Sequence, residues 1–156
     1  MIKPELKTKE KLLNHLMKKG GKETSEKVLL KSVKELQKNT LKKTENIIKS
    51  ALLNTIPIFK MNTIIKKRKK KRKTIREVPI FLVYNKSRVS EAIKLIIKTS
   101  KKIKKNITSY YLKLVVELLD DCKDDVESDA VLIKNNLQEK ILAQKKYLRN
   151  YRWRKN

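Results

Sequence analysis

The sequence predicts a mostly α-helical domain of six helices, interrupted once by a two-stranded β-hairpin arm. Three observations support this. The 156 residues include only 2 glycines and 3 prolines, and so few breakers favour helices joined by short turns over sandwiches, barrels and propellers. Apolar residues recur at helical spacing on both sides of the chain's middle. Between these stretches, residues 58–65 and 74–83 are rich in β-branched and aromatic side chains and flank an unbroken run of bases.

The first helix covers residues 6–19, with Leu12, Leu13, Leu16 and Met17 at helical spacing and Gly20-Gly21 suited to a left-handed cap behind them. Thr24, Ser25 and Glu26 are placed to cap a second helix, in which Leu29, Val33 and Leu36 face one way until Asn39. A third starts near Thr44-Glu45 and packs Ile47, Ile48, Ala51 and Leu52. It ends before Pro57, because the residue preceding proline avoids the α region. In the arm, Pro79 lacks a ladder donor and restricts its strand to a short, bulged or edge position. Helical spacing resumes at Ser90 with Ile93, Ile96, Ile97 and Ile103, and again after Asn106 with Tyr111, Leu112, Val115, Leu118 and Leu119. Residues 117–129 then hold seven acids against one base, Lys123, which reads as a solvated loop or a face turned away from a polyanion. A sixth helix covers residues 130–149 on Ile133, Leu137, Ile141 and Leu148. The expected organisation is one domain over residues 1–156: a helical body (6–56 and 86–149), an arm (57–84) and a basic tail (145–156).

Charge points to the partner. Subtracting 16 acids from 42 bases leaves +26, and a chain this cationic repels itself and favours a polyanion. The 39% hydrophobic content is enough for a core, and the 37% charged content makes that core thin and the wet surface wide. Between Glu45 and Glu77 there is no acid but eleven bases, eight of them consecutive: Lys66, Lys67, Arg68, Lys69, Lys70, Lys71, Arg72 and Lys73. A cationic hairpin tip follows a phosphate backbone and releases counterions from it; a solvated lysine loop or a nuclear localisation signal has the same composition. In the tail, Tyr151-Arg152-Trp153-Arg154 offers planes for stacking on bases or riboses, although Trp153 equally suits packing under a helix.

Other function classes lack their residues. One histidine, one cysteine and acids crowded mainly in one segment supply no catalytic set, so neither an enzyme nor a cofactor is expected. His15 reads as a core-edge or surface side chain, and the acidic cluster lacks the ligand order of a calcium loop, so no metal is expected. Cys122 has no partner for an internal disulfide. No apolar run approaches the roughly 20 residues of a membrane helix, and neither a membrane partner nor a homo-oligomer is expected. A DNA-architectural protein with a cationic β-arm is the alternative class, but an arm of that kind carries an apolar wedge, and this tip is all cation.

The order of motifs resembles one family, the bacterial and organellar form of small-subunit ribosomal protein seven. Leu13-Asn14-His15-Leu16-Met17-Lys18-Lys19-Gly20-Gly21-Lys22-Glu23-Thr24-Ser25-Glu26 is similar to its first-helix end and Gly-Lys turn. Ala51-Leu52-Leu53-Asn54-Thr55-Ile56-Pro57 resembles its third-helix end, Val78-Pro79-Ile80 its returning strand, and Tyr151-Arg152-Trp153 its C-terminal ending, with Ala143 and Lys146 at the expected offsets. The resemblance implies a six-helix domain with an arm between helices three and four. It also implies binding to the head (3′ major) domain of small-subunit rRNA, a part in head assembly, and a place near exit-site tRNA and mRNA. The implied neighbours are ribosomal proteins nine, thirteen and nineteen, with protein eleven on the platform. Carried over by motif, Lys18, Lys19, Lys22, Lys60, Arg76 and Arg152 contact rRNA; Arg88, Lys146, Arg149, Trp153, Arg154 and the run 66–73 complete the expected set. Two departures stand out. The basic segment preceding the first helix in bacterial members has no counterpart, and the arm's glycine turn is replaced by the longer run 66–73. The 35 lysines, 16 isoleucines and 11 asparagines have A- and T-rich codons, so the expected setting is a mitochondrial ribosome and an organelle-encoded product, with a plastid or an AT-rich bacterium as alternatives.

Overall fold

A computed structural model of the chain describes residues 4–40, 43–67, 73–102, 109–123 and 128–143. The order is α1 (Pro4–Leu16), α2 (Lys22–Asn39), α3 (Thr44–Thr55), β1 (Phe59–Lys67), β2 (Lys73–Phe81), α4 (Asn85–Ser100), α5 (Tyr110–Cys122) and α6 (Asp129–Ala143). The expected mostly α fold with an arm between the third and fourth helices is what the chain adopts. Pro4 sits in the first turn of α1, where its missing N–H has no intrahelical partner in any case.

Several boundaries differ from those read in the sequence. The first helix stops at Leu16 rather than 19, because Lys19 and Gly20 take left-handed backbone (φ 50° and 79°). Gly21 N–H then donates to Lys18 O at 3.0 Å, which turns the chain back onto α1. The second helix starts at Lys22 with Gly21 as its N-cap and no side-chain cap. The hydroxyls of Thr24 and Ser25 donate to Gly21 O at 2.8 and 3.0 Å, inside the first turn, instead of accepting amide protons ahead of it. The fourth helix begins at Asn85, not Ser90, and ends at Ser100. Its first turn, with Lys86 and Ser87 exposed, has no apolar periodicity to announce it. Ile103 and residues 144–149 lie outside the described residues.

The core is one cluster. Leu12 and Leu16 of α1, Leu29 and Leu36 of α2, Ile47, Ala51 and Leu52 of α3, Ile93, Ile96 and Ile97 of α4, and Leu114, Val115 and Leu118 of α5 are all buried together. Helix α5 joins these layers by packing against α2, α3 and α4, while α6 touches α3, α4 and β1. Among the described residues no helix is long and apolar enough to cross a membrane.

The first half of the acidic segment is neither a loop nor wholly an outward face, the two alternatives expected for it. Residues 117–122 are helical, and Glu117 and Asp121, four residues apart, face inward with exposures of 3% and 1%. Asn54 Nδ2 donates to the backbone oxygen of Asp121 at 2.9 Å. The Ser128 hydroxyl donates to Asp121 Oδ1 and accepts from Val131 N–H at 3.3 Å, so Ser128 caps α6 one residue before the helix begins. Asp124, Asp125 and Glu127 lie outside the described residues.

Candidate nucleic-acid interface

The arm is an uninterrupted antiparallel pair whose register runs from Phe59↔Phe81 to Lys67↔Lys73. No bulge is needed at Pro79, which sits opposite Met61, because both strands of a two-stranded sheet are edges. Lys66, Lys67 and Lys73 belong to the far end of the ladder rather than to a loop, and Arg76 sits opposite Ile64. Arg68, Lys69, Lys70, Lys71 and Arg72 lie outside the described residues, as do Lys146, Arg149, Arg152, Trp153 and Arg154.

The root of the arm is closed by contacts within the hairpin and braced to the body through α4. Phe59 and Phe81 meet edge to face with centroids 5.6 Å apart, and Leu82 N–H continues the ladder to Ile58 O at 3.0 Å. Arg88 of α4 donates from Nε to Leu82 O at 2.6 Å and holds its guanidinium 5.3 Å from the centroid of the Phe81 ring. Arg88, expected as an rRNA contact, is thus also a strut of the arm. Lys60 of β1 reaches across to Glu91 of α4, Nζ to Oε1 at 2.7 Å, and Lys94 binds the same oxygen at 3.0 Å.

Burial pushes the Glu91 carboxyl up, but hydrogen bonds and charge from Lys60 and Lys94 outweigh it and hold the group below its ordinary value. A carboxyl lowered in this way contributes stability that is present above the unfolded-chain value and lost as pH falls through the folded one. Glu91→Gln is therefore expected to lower stability by about 0.5 kcal/mol at neutral pH, the scale of partly exposed ion pairs. The difference from wild type should vanish at an acidic pH below the lowered folded-state value, where the carboxyl is neutral in both states. Urea denaturation at the two pH values measures it.

Lys18, Lys19 and Lys22 are all exposed on the turn that joins α1 to α2. The sequence reading missed a second basic feature. Lys11, Lys86, Ser87, Ser90, Glu91 and Lys94 line a cleft of about 360 Å³ between α1 and the start of α4. Lys11 Nζ donates to Lys86 O at 3.4 Å, and His15 Nε2 hydrogen-bonds Ser90 Oγ at 2.7 Å. Burial and then the Lys94 charge push the His15 ring down from its ordinary value; Glu91 opposes and Lys11 assists. The histidine is therefore at the core edge, as expected, and neutral at physiological pH. The cleft had a legible signal: Lys86, Ser90 and Lys94 are spaced by four, as one stripe of a helix requires. Starting the fourth helix at Ser90 hid it.

Lys86 and Lys94 of the cleft lie on α4, the helix that braces the arm root, and Lys60 and Lys94 share one carboxylate. Such a surface attracts a phosphate backbone without reading sequence. Among the described residues there is no group of three or more histidine, cysteine or acidic side chains arranged to hold a metal ion. A search of curated proteins finds no significant match. The model of the family Ribosomal protein S7p/S5e matches residues 3–145. The chain therefore belongs to the ribosomal protein S7p/S5e family, whose members are structural rRNA-binding proteins of the small ribosomal subunit.

Proposed function

We propose that the chain acts as one rRNA-binding domain that clamps the head (3′ major) domain of small-subunit rRNA and supports head assembly. The supporting observation is the cationic arm braced through Arg88 and Glu91 to a lysine-lined face of α1 and α4. Shape complementarity and phosphate contacts supply the selectivity, since lysines position a protein on RNA without reading bases. The rRNA contacts proposed are Lys18, Lys19 and Lys22 at the turn, Lys60, Arg76 and the run 66–73 on the arm, and Arg88. Lys146, Arg149, Arg152, Trp153 and Arg154 complete the set in the tail. The arm reaches toward exit-site tRNA and mRNA, and the neighbours are ribosomal proteins nine, eleven, thirteen and nineteen. On the lysine, isoleucine and asparagine bias, the ribosome is mitochondrial.

Titration of the full chain against three polyanions tests this reading: a transcript of the head domain, a transcript of another domain of the same rRNA, and duplex DNA of matched charge. The head transcript should bind tightest at every salt concentration. Equal binding to all three leaves a general basic protein, and preference for DNA favours the architectural class.

A further inference from the structure

Glu117 and Asp121 occupy successive turns of α5 where it meets α3, α4 and the start of α6, and they are the two buried acids among the described residues. Residues four apart on a helix share one face. Glu117 Oε1 and Asp121 Oδ2 are both buried without a hydrogen-bond partner. Burial of a carboxylate with one oxygen unpartnered favours the neutral acid.

Among the described residues no counter-charge acts on the two carboxyls. Among the described residues, the groups acting on the two carboxyls are Thr99 from α4, Ser128, Asp129 and the Ala130 amide from the start of α6, and Asp120 on α5. Asn54 of α3 binds the backbone of Asp121, and Lys134 of α6 ends on Asn54 O at 2.5 Å instead of on an acid. The charges that act on the pair from the described residues, Asp120 and Asp129, are therefore negative. The hydroxyl proton of Thr99 lies against the carbonyls of Leu95 and Ile96, both at 3.0 Å. Thr99 and the Ala130 amide hydrogen-bond the Glu117 carboxyl, and Ser128 donates to Asp121. Each acid thus has one oxygen satisfied, while its other oxygen, Glu117 Oε1 or Asp121 Oδ2, is buried with nothing among the described residues to neutralise a charge on it except a proton.

We propose that Glu117 and Asp121 hold one proton between them in the folded chain, and that this proton fastens the junction where α5 ends and α6 begins. Its loss places two like charges, with Asp120 and Asp129 nearby, in the buried corner that the Asn54 contact and the Ser128 cap tie together. Burial pushes Asp121 up to about 7, with Glu117 and Asp120 adding to it against the Ser128 hydrogen bond. Burial, Asp129 and Asp120 also push Glu117 up, against hydrogen bonds from Thr99 and Ala130. A folded-state value above the unfolded one means that the folded chain binds more protons across the window between the ordinary carboxylate range and about pH 7. The stability contributed is therefore lost as pH rises through that window, opposite in sign to Glu91.

A ¹³C-carboxyl NMR titration of the full chain tests the proposal, with Glu117→Gln and Asp121→Asn spectra to assign the two resonances. At least one of the two carboxyls should keep its proton to about pH 7, whereas midpoints near about 4 for both overturn the idea. Thermal unfolding supplies the second readout. The Tm of Glu117→Gln, whose amide replaces the proton as donor, should gain on wild type as pH rises from about 5 to about 7.5; a difference that does not change with pH overturns the latch. If that variant does not fold, Asp121→Asn replaces it, and the wild-type titration decides independently.

Discussion

Cutting residues 66–73 back to a short glycine turn should weaken binding to the head-domain transcript by orders of magnitude and flatten its salt dependence. The run supplies eight of the 42 bases. Each neutralised phosphate contributes roughly 0.7 to 0.9 to the slope of log affinity against log salt. With about half of the eight cations on phosphates, the slope falls by about 3. The cut removes the far end of the ladder, Lys66↔Thr74 and Lys67↔Lys73, and leaves the pairs from Phe59↔Phe81 to Ile65↔Ile75 and the root contacts of Arg88 and Lys60 in place. Helical content and Tm should therefore match wild type. An unchanged slope with an intact fold would mean that the arm does not lie on RNA.

Leu36→Ala is expected to lower stability by about 2–5 kcal/mol, the range for emptying a packed leucine site. Leu36 of α2 is 0% exposed in the core cluster, on the helix that packs against α5. A loss of that size is a large part of the roughly 5–15 kcal/mol that holds a domain together. Leu30, on the same helix but 52% exposed, is the control, and its replacement by alanine should stay within about 0.5 kcal/mol. Urea denaturation of both variants gives the comparison. A loss under about 1 kcal/mol at Leu36 would contradict the packing of α2 against α5.

Much of the fold was legible because local chemistry decided it. Pro57 ends α3 with Ile56 in extended backbone, as the steric rule for pre-proline residues requires, and the β-branched flanks of the basic run became the paired strands. The misreadings were tertiary in origin. Glu117 and Asp121 looked solvated because acids usually are, and only the packing of α3 and α4 against α5, with Ser128 and the Ala130 amide closing over its end, shows that these two face inward while Asp120 and Lys123 stay near solvent. The pairing of Lys60 with Glu91, 31 residues away, has no local signature. The start of α4 was missed because its first turn is polar, and with it went the stripe of Lys86, Ser90 and Lys94 that lines the cleft. The candidate contacts in the Gly turn and the arm were visible as charge and motif. The way Arg88 and Glu91 hold the arm to the body was not, since it depends on a strand root and a helix meeting in space.

Crosslinking the tagged chain in its own cell, washing at high salt and sequencing the nucleic acid retained tests the rRNA-clamp reading most directly. Crosslinks should concentrate in the head domain of small-subunit rRNA and map on the protein to the arm, the Lys18–Lys22 turn and the α1–α4 cleft, and the rRNA sequence would identify the compartment. Crosslinks spread over DNA or over unrelated RNAs would contradict it.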